Sequence, residues 1–394
     1  MRLSKFIFLV LLIFIFSMNA MSDVENNGSG NIVRIDDIGK KTWKMEAFSI
    51  DEEIKIMVNA TGMAVGDVWR AKAWIINAVS RSPVWEMTFD NTTRISSKGR
   101  RQFSNDIILP AGQYEVYFGV DISAKARSRG ISGFVNDLFH SMDYYDKEIS
   151  SWGIELRPYP EDVELFHLYS PGEENNVIVK MINLGKNENR TTGFSIDQQL
   201  TIRLYMLGEG ITKKKQMYDY GWIINADTRE RVWDANARLS YPAGGALKNR
   251  KIDAEITLPP GNYIVHYITD DSHSAERFNQ MPPYDPGNWG ITVFSVYDDL
   301  QDIEIKEYVE EKKEPVIDIT RTGNNASICQ GIELLKKMRF EIKALGEYSN
   351  LTNRFVDYGW IINARTREKV WTMDQTNTEH AGGSKKNKCM TMAG

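Results

Sequence analysis

One near-identical hexapeptide occurs three times in this chain, and the recurrence limits what the chain can fold into. Ala73-Trp74-Ile75-Ile76-Asn77-Ala78 returns as Gly221-Trp222-Ile223-Ile224-Asn225-Ala226 and as Gly359-Trp360-Ile361-Ile362-Asn363-Ala364. A Val-Trp pair follows each time, its tryptophan (Trp85, Trp233, Trp371) eleven residues after the first. The copies lie 148 and then 138 residues apart. That spacing is far beyond the solenoid periods of about 20–50 residues and matches whole domains. The expected architecture is therefore a tandem array of related modules.

The pattern inside each copy is that of β-structure. Ile54, Ile56 and Val58 alternate with Lys55 and Met57, which puts one apolar face on a strand. Leu200 to Tyr205 and Met338 to Lys343 repeat this element. Trp222, Ile223 and Ile224 are consecutive and apolar, which predicts a central strand covered on both faces, and the polar Asn225 to Glu230 predicts a hairpin turn after it. Leu109-Pro110-Ala111-Gly112-Gln113-Tyr114 matches Leu258-Pro259-Pro260-Gly261-Asn262-Tyr263, a tight reversal between two strands. Trp152-Gly153-Ile154 and Trp289-Gly290-Ile291 close the first two copies.

The fold class read from this is all-β: tandem antiparallel β-sandwich modules of jelly-roll or immunoglobulin-like type, two complete and one partial. The divisions are a signal peptide at 1–20, a disordered stretch at 21–30, module one at 31–160, module two at 170–299, a charged linker at 300–314 and a partial module three at 315–394. Module three lacks the Leu-Pro-x-Gly-x-Tyr and Trp-Gly-Ile elements, which reads as a fragment or frameshifted product in preference to a module whose missing strands come from another chain. Between Tyr114 and Trp152, Ile131, Phe134, Val135 and Leu138 fall at helical spacing and predict a short amphipathic helix.

Arg2 and Lys5 precede the apolar run Phe6 to Phe16, and small residues ending at Ala20 follow, the pattern of a cleaved secretory signal. The expected location is periplasmic, extracellular or at the cell surface, with no membrane span after cleavage. A net charge of −5 without a basic stripe gives no reason to expect nucleic acid. Cys329 and Cys389 are the only cysteines, and a bridge between them fits an oxidising compartment.

Chemistry concentrates in the loop Thr269-Asp270-Asp271-Ser272-His273-Ser274. A hydrolase would use His273 as base for Ser272 or Ser274, oriented by an aspartate. No Gly-x-Ser-x-Gly elbow accompanies it, and the plainer reading is a polar loop that satisfies its own backbone donors. Calcium is the one ion the region could take, through Asp270, Asp271, Asn279 and Asp285, without EF-hand spacing. The five histidines have no zinc-ligand spacing. The first tryptophan of each pair is expected in the core; the second is balanced between core and ligand platform. The rigid Pro282-Pro283-Tyr284-Asp285-Pro286-Gly287 loop lies beside Phe278, Asn279 and Trp289.

The run of Phe-Ser-Ile-Asp, an alternating strand, a Trp strand with a polar turn, and Leu-Pro-x-Gly-x-Tyr resembles the pre-peptidase C-terminal modules of secreted bacterial proteins. The resemblance implies a jelly-roll-like sandwich that binds or targets rather than catalyses, and it carries over no binding residue. The functional expectation is a secreted, non-catalytic binding protein. It would present module loops to a glycan or protein ligand through Asp270, Asp271, Ser272, His273, Asn279, Tyr284 and Trp289, with no catalytic residue, metal or cofactor. A hydrolase centred on His273 and Ser272, and a structural cell-surface component, are the alternatives.

Overall fold

The computed structural model describes residues 32–36, 38, 42–121, 152–172, 176–296, 303–310, 314–380 and 387–393. The expected signal peptide, the 21–30 stretch and the helix near residue 134 lie outside the described residues. Among the described residues the chain is all-β: every strand pair is antiparallel, and helical structure is confined to three short 3-10 segments. None of these helices is long and apolar enough to cross a membrane.

The strands fall into groups with the same internal order. In the first, Ile54–Val65 lies between Gly153–Pro158 and Arg100–Leu109. Beside it, Gly112–Val120 lies between Val68–Asn77 and Trp43–Ile50. In the second group, Leu200–Ile211 lies between Gly290–Ser295 and Asn249–Leu258, and Gly261–Ile268 between Tyr220–Asn225 and Asn189–Ile196. Each group closes on a short strand that extends a sheet: Phe166–Leu168 pairs with Trp43–Ile50, and Ile305–Tyr308 pairs with Asn189–Ile196. The charged stretch after residue 300 thus supplies an edge strand. A third group pairs Glu341–Ser349 with Asn387–Ala393 and Trp360–Ile362 with Lys369–Thr372.

Two separate apolar cores follow. Ile54, Ile56, Val58, Tyr114, Val116 and Phe118 bury one face in the first. Leu200, Ile202, Leu204, Tyr263, Val265 and Tyr267 do the same in the second. Each fully buried aliphatic side chain of this kind stabilises the fold by about 1.5–3 kcal/mol.

The repeated sequence marks are structural joints. Asn77 Oδ1 accepts from the backbone N–H of Val79 and Ser80, Asn225 Oδ1 from Asp227 and Thr228, and Asn363 Oδ1 from Arg365 and Thr366. The repeated asparagine thus folds its own hairpin turn. Each turn ends on an arginine with positive φ: Arg81, Arg229 and Arg367. Tyr114 and Tyr263 donate from their hydroxyls to Pro110 O and Pro259 O at 2.8 and 2.6 Å, which pins the Leu-Pro-x-Gly-x-Tyr reversal.

Gly62, Gly208 and Gly346 share one role. A Cβ on them would come closer than 3.0 Å to the carbonyl oxygens of Ala71, Asp219 and Asp357. The long first strand can cross the next one this closely only without a side chain.

The third group departs from the core expectation. Trp74 and Trp222 are buried, but Trp360 is 51% exposed, with Ile361 and Ile362 exposed beside it. Its strand pairs only with Lys369–Thr372 among the described residues, so no neighbour covers its other edge. Cys329 is free and exposed.

Gly208→Ala should lower the unfolding free energy measured in urea by about 1–3 kcal/mol, because backbone must move to admit the methyl group. Gly172→Ala, where a Cβ meets open space, should stay within about 0.5 kcal/mol of the parent. Equal effects of the two substitutions would contradict the close crossing.

Candidate functional site

The loop after Gly261–Ile268 folds inward. His273 is 1% exposed and sits edge-on between Phe278 and Trp289, with ring centroids 4.9 and 5.2 Å away. Asn249 commits its amide protons to Gly244 O and Met281 O, so its Oδ1 accepts from His273 Nε2 at 2.7 Å. Nδ1 faces Asn279 Oδ1 at 2.9 Å, and as the acceptor nitrogen of a neutral ring it calls for the Asn279 amide to be turned so that its N–H donates. Burial, followed by the Lys248 charge, lowers the imidazole pKa to about 3, so the ring is neutral at physiological pH.

Ser272 makes no bond to this ring. Its hydroxyl and backbone N–H turn to Asp270 Oδ1 at 3.0 and 2.8 Å. Ser274 is fully buried. The hydrolase arrangement is therefore not assembled: His273 has both ring nitrogens occupied, and neither serine reaches it. His273, Asn279 and Trp289 act as core residues.

Asp270 belongs to a different cluster. A carboxylate oxygen from each of Glu209, Asp219 and Asp270 lies within 4.8 Å of the others. Asp219, 0% exposed, accepts from Asp270 N–H on Oδ1 at 2.8 Å and from Trp289 Nε1 on Oδ2 at 3.2 Å. Glu209 pairs with Lys248 at 3.2 Å. Burial raises the pKa of Asp219 to about 8, with further upward pressure from the charges of Asp270 and Glu209. Glu209 is raised for the same first reason. These oxygens already have protein donors, so the trio works as a hydrogen-bonded plug beneath Trp289.

Glu209 and Asp219 escaped the sequence reading because ten residues separate them. The signal was present. Leu207-Gly208-Glu209 and Asp219-Tyr220 preceding the hexapeptide recur as Leu345-Gly346-Glu347 and Asp357-Tyr358. In the first copy the same places hold Met63 and Ala71.

The four residues of the calcium reading are spread among different partners. Asp270 lies in the trio, exposed Asp271 stands outside it, Asn279 serves His273, and Asp285 lies elsewhere.

Asp285 and Tyr284 sit at a junction between the first and second strand groups. Trp74 Nε1 donates to Tyr284 O at 2.7 Å, and Trp43 Nε1 to Ala275 O at 3.2 Å. Tyr284 donates its hydroxyl to Glu86 Oε1 at 3.0 Å and meets the Trp74 ring edge-on. Asp285 is 2% exposed, and its carboxylate accepts from Tyr205 at 2.9 Å and from Asn288 at 2.9 and 3.1 Å. Tyr117 reaches it at 3.4 Å, and Arg81 lies 3.7 Å away. Arg81 forks onto Glu115 with both contacts at 2.8 Å, while burial pushes the Glu115 carboxyl up and Arg81 opposes this.

The Pro282 to Gly287 loop, expected to face a ligand, therefore seals one strand group onto the other. This also explains why Glu115 and Tyr117 are buried although they alternate with the core face of Gly112–Val120. Tyr117 stacks on Trp74 at 5.6 Å, under the loop.

Comparison with known proteins adds little. No family model and no curated relative matches the chain. Among solved structures, procruciferin, an 11S globulin from Brassica napus, aligns over 68% of this chain and 79% of its own at 8% identity. Its TM-score of 0.17 carries no argument.

Asp219 keeps a proton in the fold that the unfolded chain gives up near pH 3.8. Its stabilising contribution is complete below that pH and is lost as the pH rises through about 8. Asp219→Asn cannot titrate. The stability of this variant relative to the parent should therefore rise by about 1.4 kcal/mol per pH unit between about pH 4 and pH 8. Chemical unfolding at several pH values measures this; a constant gap would contradict a protonated Asp219.

Proposed function

We propose that this chain is an exported, non-catalytic interaction protein. It is built as tandem β-sandwich modules, two complete and one partial, with the first two clamped into one rigid body that holds a binding surface for a glycan or protein. The junction around Asp285 carries this reading. A loop that spends its aromatic, acidic and proline residues on a neighbouring module is committed to architecture, so ligand contacts fall to the flanks of the sandwiches. The matching strand orders, the shared hairpin joints and the separate cores support the module count. The signal-like N-terminus supports export.

The non-catalytic part is supported by His273. An imidazole walled in by Asn249, Asn279, Phe278 and Trp289 has no route to a substrate. The purified protein should show no turnover on a panel of ester, peptide and glycoside substrates. Turnover abolished by His273→Gln in a folded variant would overturn the reading.

The clamp is tested separately. Asp285→Ala removes one acceptor from Tyr205, Tyr117 and Asn288 and takes away the carboxylate 3.7 Å from Arg81. The expected cost is about 2–4 kcal/mol, felt at the junction. Calorimetry should show the shared unfolding transition of the first two modules separating into two. A single transition shifted as a whole would count against the clamp.

A further inference from the structure

A cleft of about 310 Å³ opens on the flank of the second strand group, where Arg231–Asp234 approaches Tyr241–Pro242 and Asn249–Leu258. Trp233, Tyr241 and Leu239 form its apolar walls, and Asp234, Asn236, Arg238 and Asp253 its polar ones. Tyr241 is 62% exposed and Leu239 70%.

The first strand group fills the corresponding place. Phe103 packs edge-on against Trp85 with centroids 4.9 Å apart, and Met87 is fully buried beside them. Phe103 faces Ala60 in the register in which Ile252 faces Met206. Met87, Ala235 and Met373 occupy one position: each donates its backbone N–H to the residue before the repeated tryptophan, at 3.0 Å. The second group therefore replaces phenylalanine by isoleucine and methionine by alanine around its second tryptophan. The third keeps the methionine, and Met373 is buried. Met206 of the second group stands where the first has Ala60, and its sulfur faces the Gly221 N–H at 3.3 Å as the Met87 sulfur faces the Ala73 N–H at 3.4 Å. The methionine site is thus refilled from the facing strand, and the cleft lies outside it, over Trp233, Tyr241 and Ile252.

We propose that this cleft binds an uncharged oligosaccharide, with one sugar ring lying on the Trp233–Tyr241 wall. A pyranose has an apolar face of C–H bonds and a rim of hydroxyls, so it suits an aromatic surface edged with planar polar groups. Asn236 Oδ1 accepts from Arg238 N–H at 2.9 Å, which fixes the amide and leaves its N–H groups for a hydroxyl. Asp253 is held by a two-pronged contact from Arg203 at 2.7 and 2.8 Å, which orients it as an acceptor. Arg203 pairs with Asp253, and Arg231 lies 3.9 Å from Asp234, so each acidic residue of the lining is matched by an arginine. The volume suits one or two rings, at the small end of binding clefts.

This assignment rests on the non-catalytic binding reading. The test is a calorimetric and tryptophan-fluorescence titration of the full chain with neutral gluco-, manno- and galacto-oligosaccharides of two to six rings, and with uronic-acid oligomers. Saturable binding of a neutral oligomer is expected. At least a tenfold loss of affinity is expected in Tyr241→Ala, whose exposed side chain the fold does not need, and in Asn236→Ala, which removes the amide N–H groups offered to a hydroxyl. No saturable binding of any neutral oligomer overturns the sugar assignment, as does a preference for the uronic acids. Binding that both variants retain overturns the cleft but leaves a binding protein standing. Turnover of the oligomer would instead sink the non-catalytic reading.

Discussion

A buried carboxylate holds this architecture together. Asp285, on a proline-braced loop, is held by Tyr205 and Asn288 of its own strand group and lies against the outer sheet face of the preceding group, where Tyr117 and Arg81 approach it at 3.4 and 3.7 Å. A charge at 2% exposure is costly unless its partners are complete. A shift of one group against the other takes Tyr117 and Arg81 away from the carboxylate, while Tyr205 and Asn288 stay with it. The Trp74–Tyr117 stack under the loop supplies the apolar area, and the Asp285 node supplies the register. The two groups are therefore joined by fixed geometry rather than by a flexible tether.

The same scaffold position serves different chemistry in successive copies. Where the first group crosses its long strand with Met63 and Ala71, the second places Glu209 and Asp219 and closes them with Trp289, Lys248 and Asp270. His273 is buried edge-on against the same tryptophan. The glycine at the crossing is kept in all three copies because the backbone approach is kept, whatever side chains surround it. Around the second tryptophan the copies exchange volume across one strand pair: Phe103 facing Ala60 becomes Ile252 facing Met206.

Much of the strand pattern was legible in the sequence because it is local. Alternation at Ile54, Ile56 and Val58, the asparagine turns and the Leu-Pro-x-Gly-x-Tyr reversals depend on neighbours within a few residues. The site was misread for the opposite reason. Asp270, Ser272 and His273 adjoin in sequence, but the partner that fixes His273 is Asn249, and the groups that enclose Asp270 are Glu209 and Asp219. Tyr284 and Asp285 looked like a free loop because their partners, Trp74, Glu86 and Tyr117, belong to another strand group. Long-range docking leaves no period in a sequence. Its one trace was the pair Glu115 and Tyr117, a polar and an aromatic residue alternating with a core face, and that pattern is equally common on a wet sheet.

The most direct test of a rigid first pair is backbone amide relaxation by NMR on the intact chain. Residues 43–120 and 189–295 should report one common rotational correlation time. Two distinct times, or independent alignment of the two segments in a weakly ordered medium, would contradict the account.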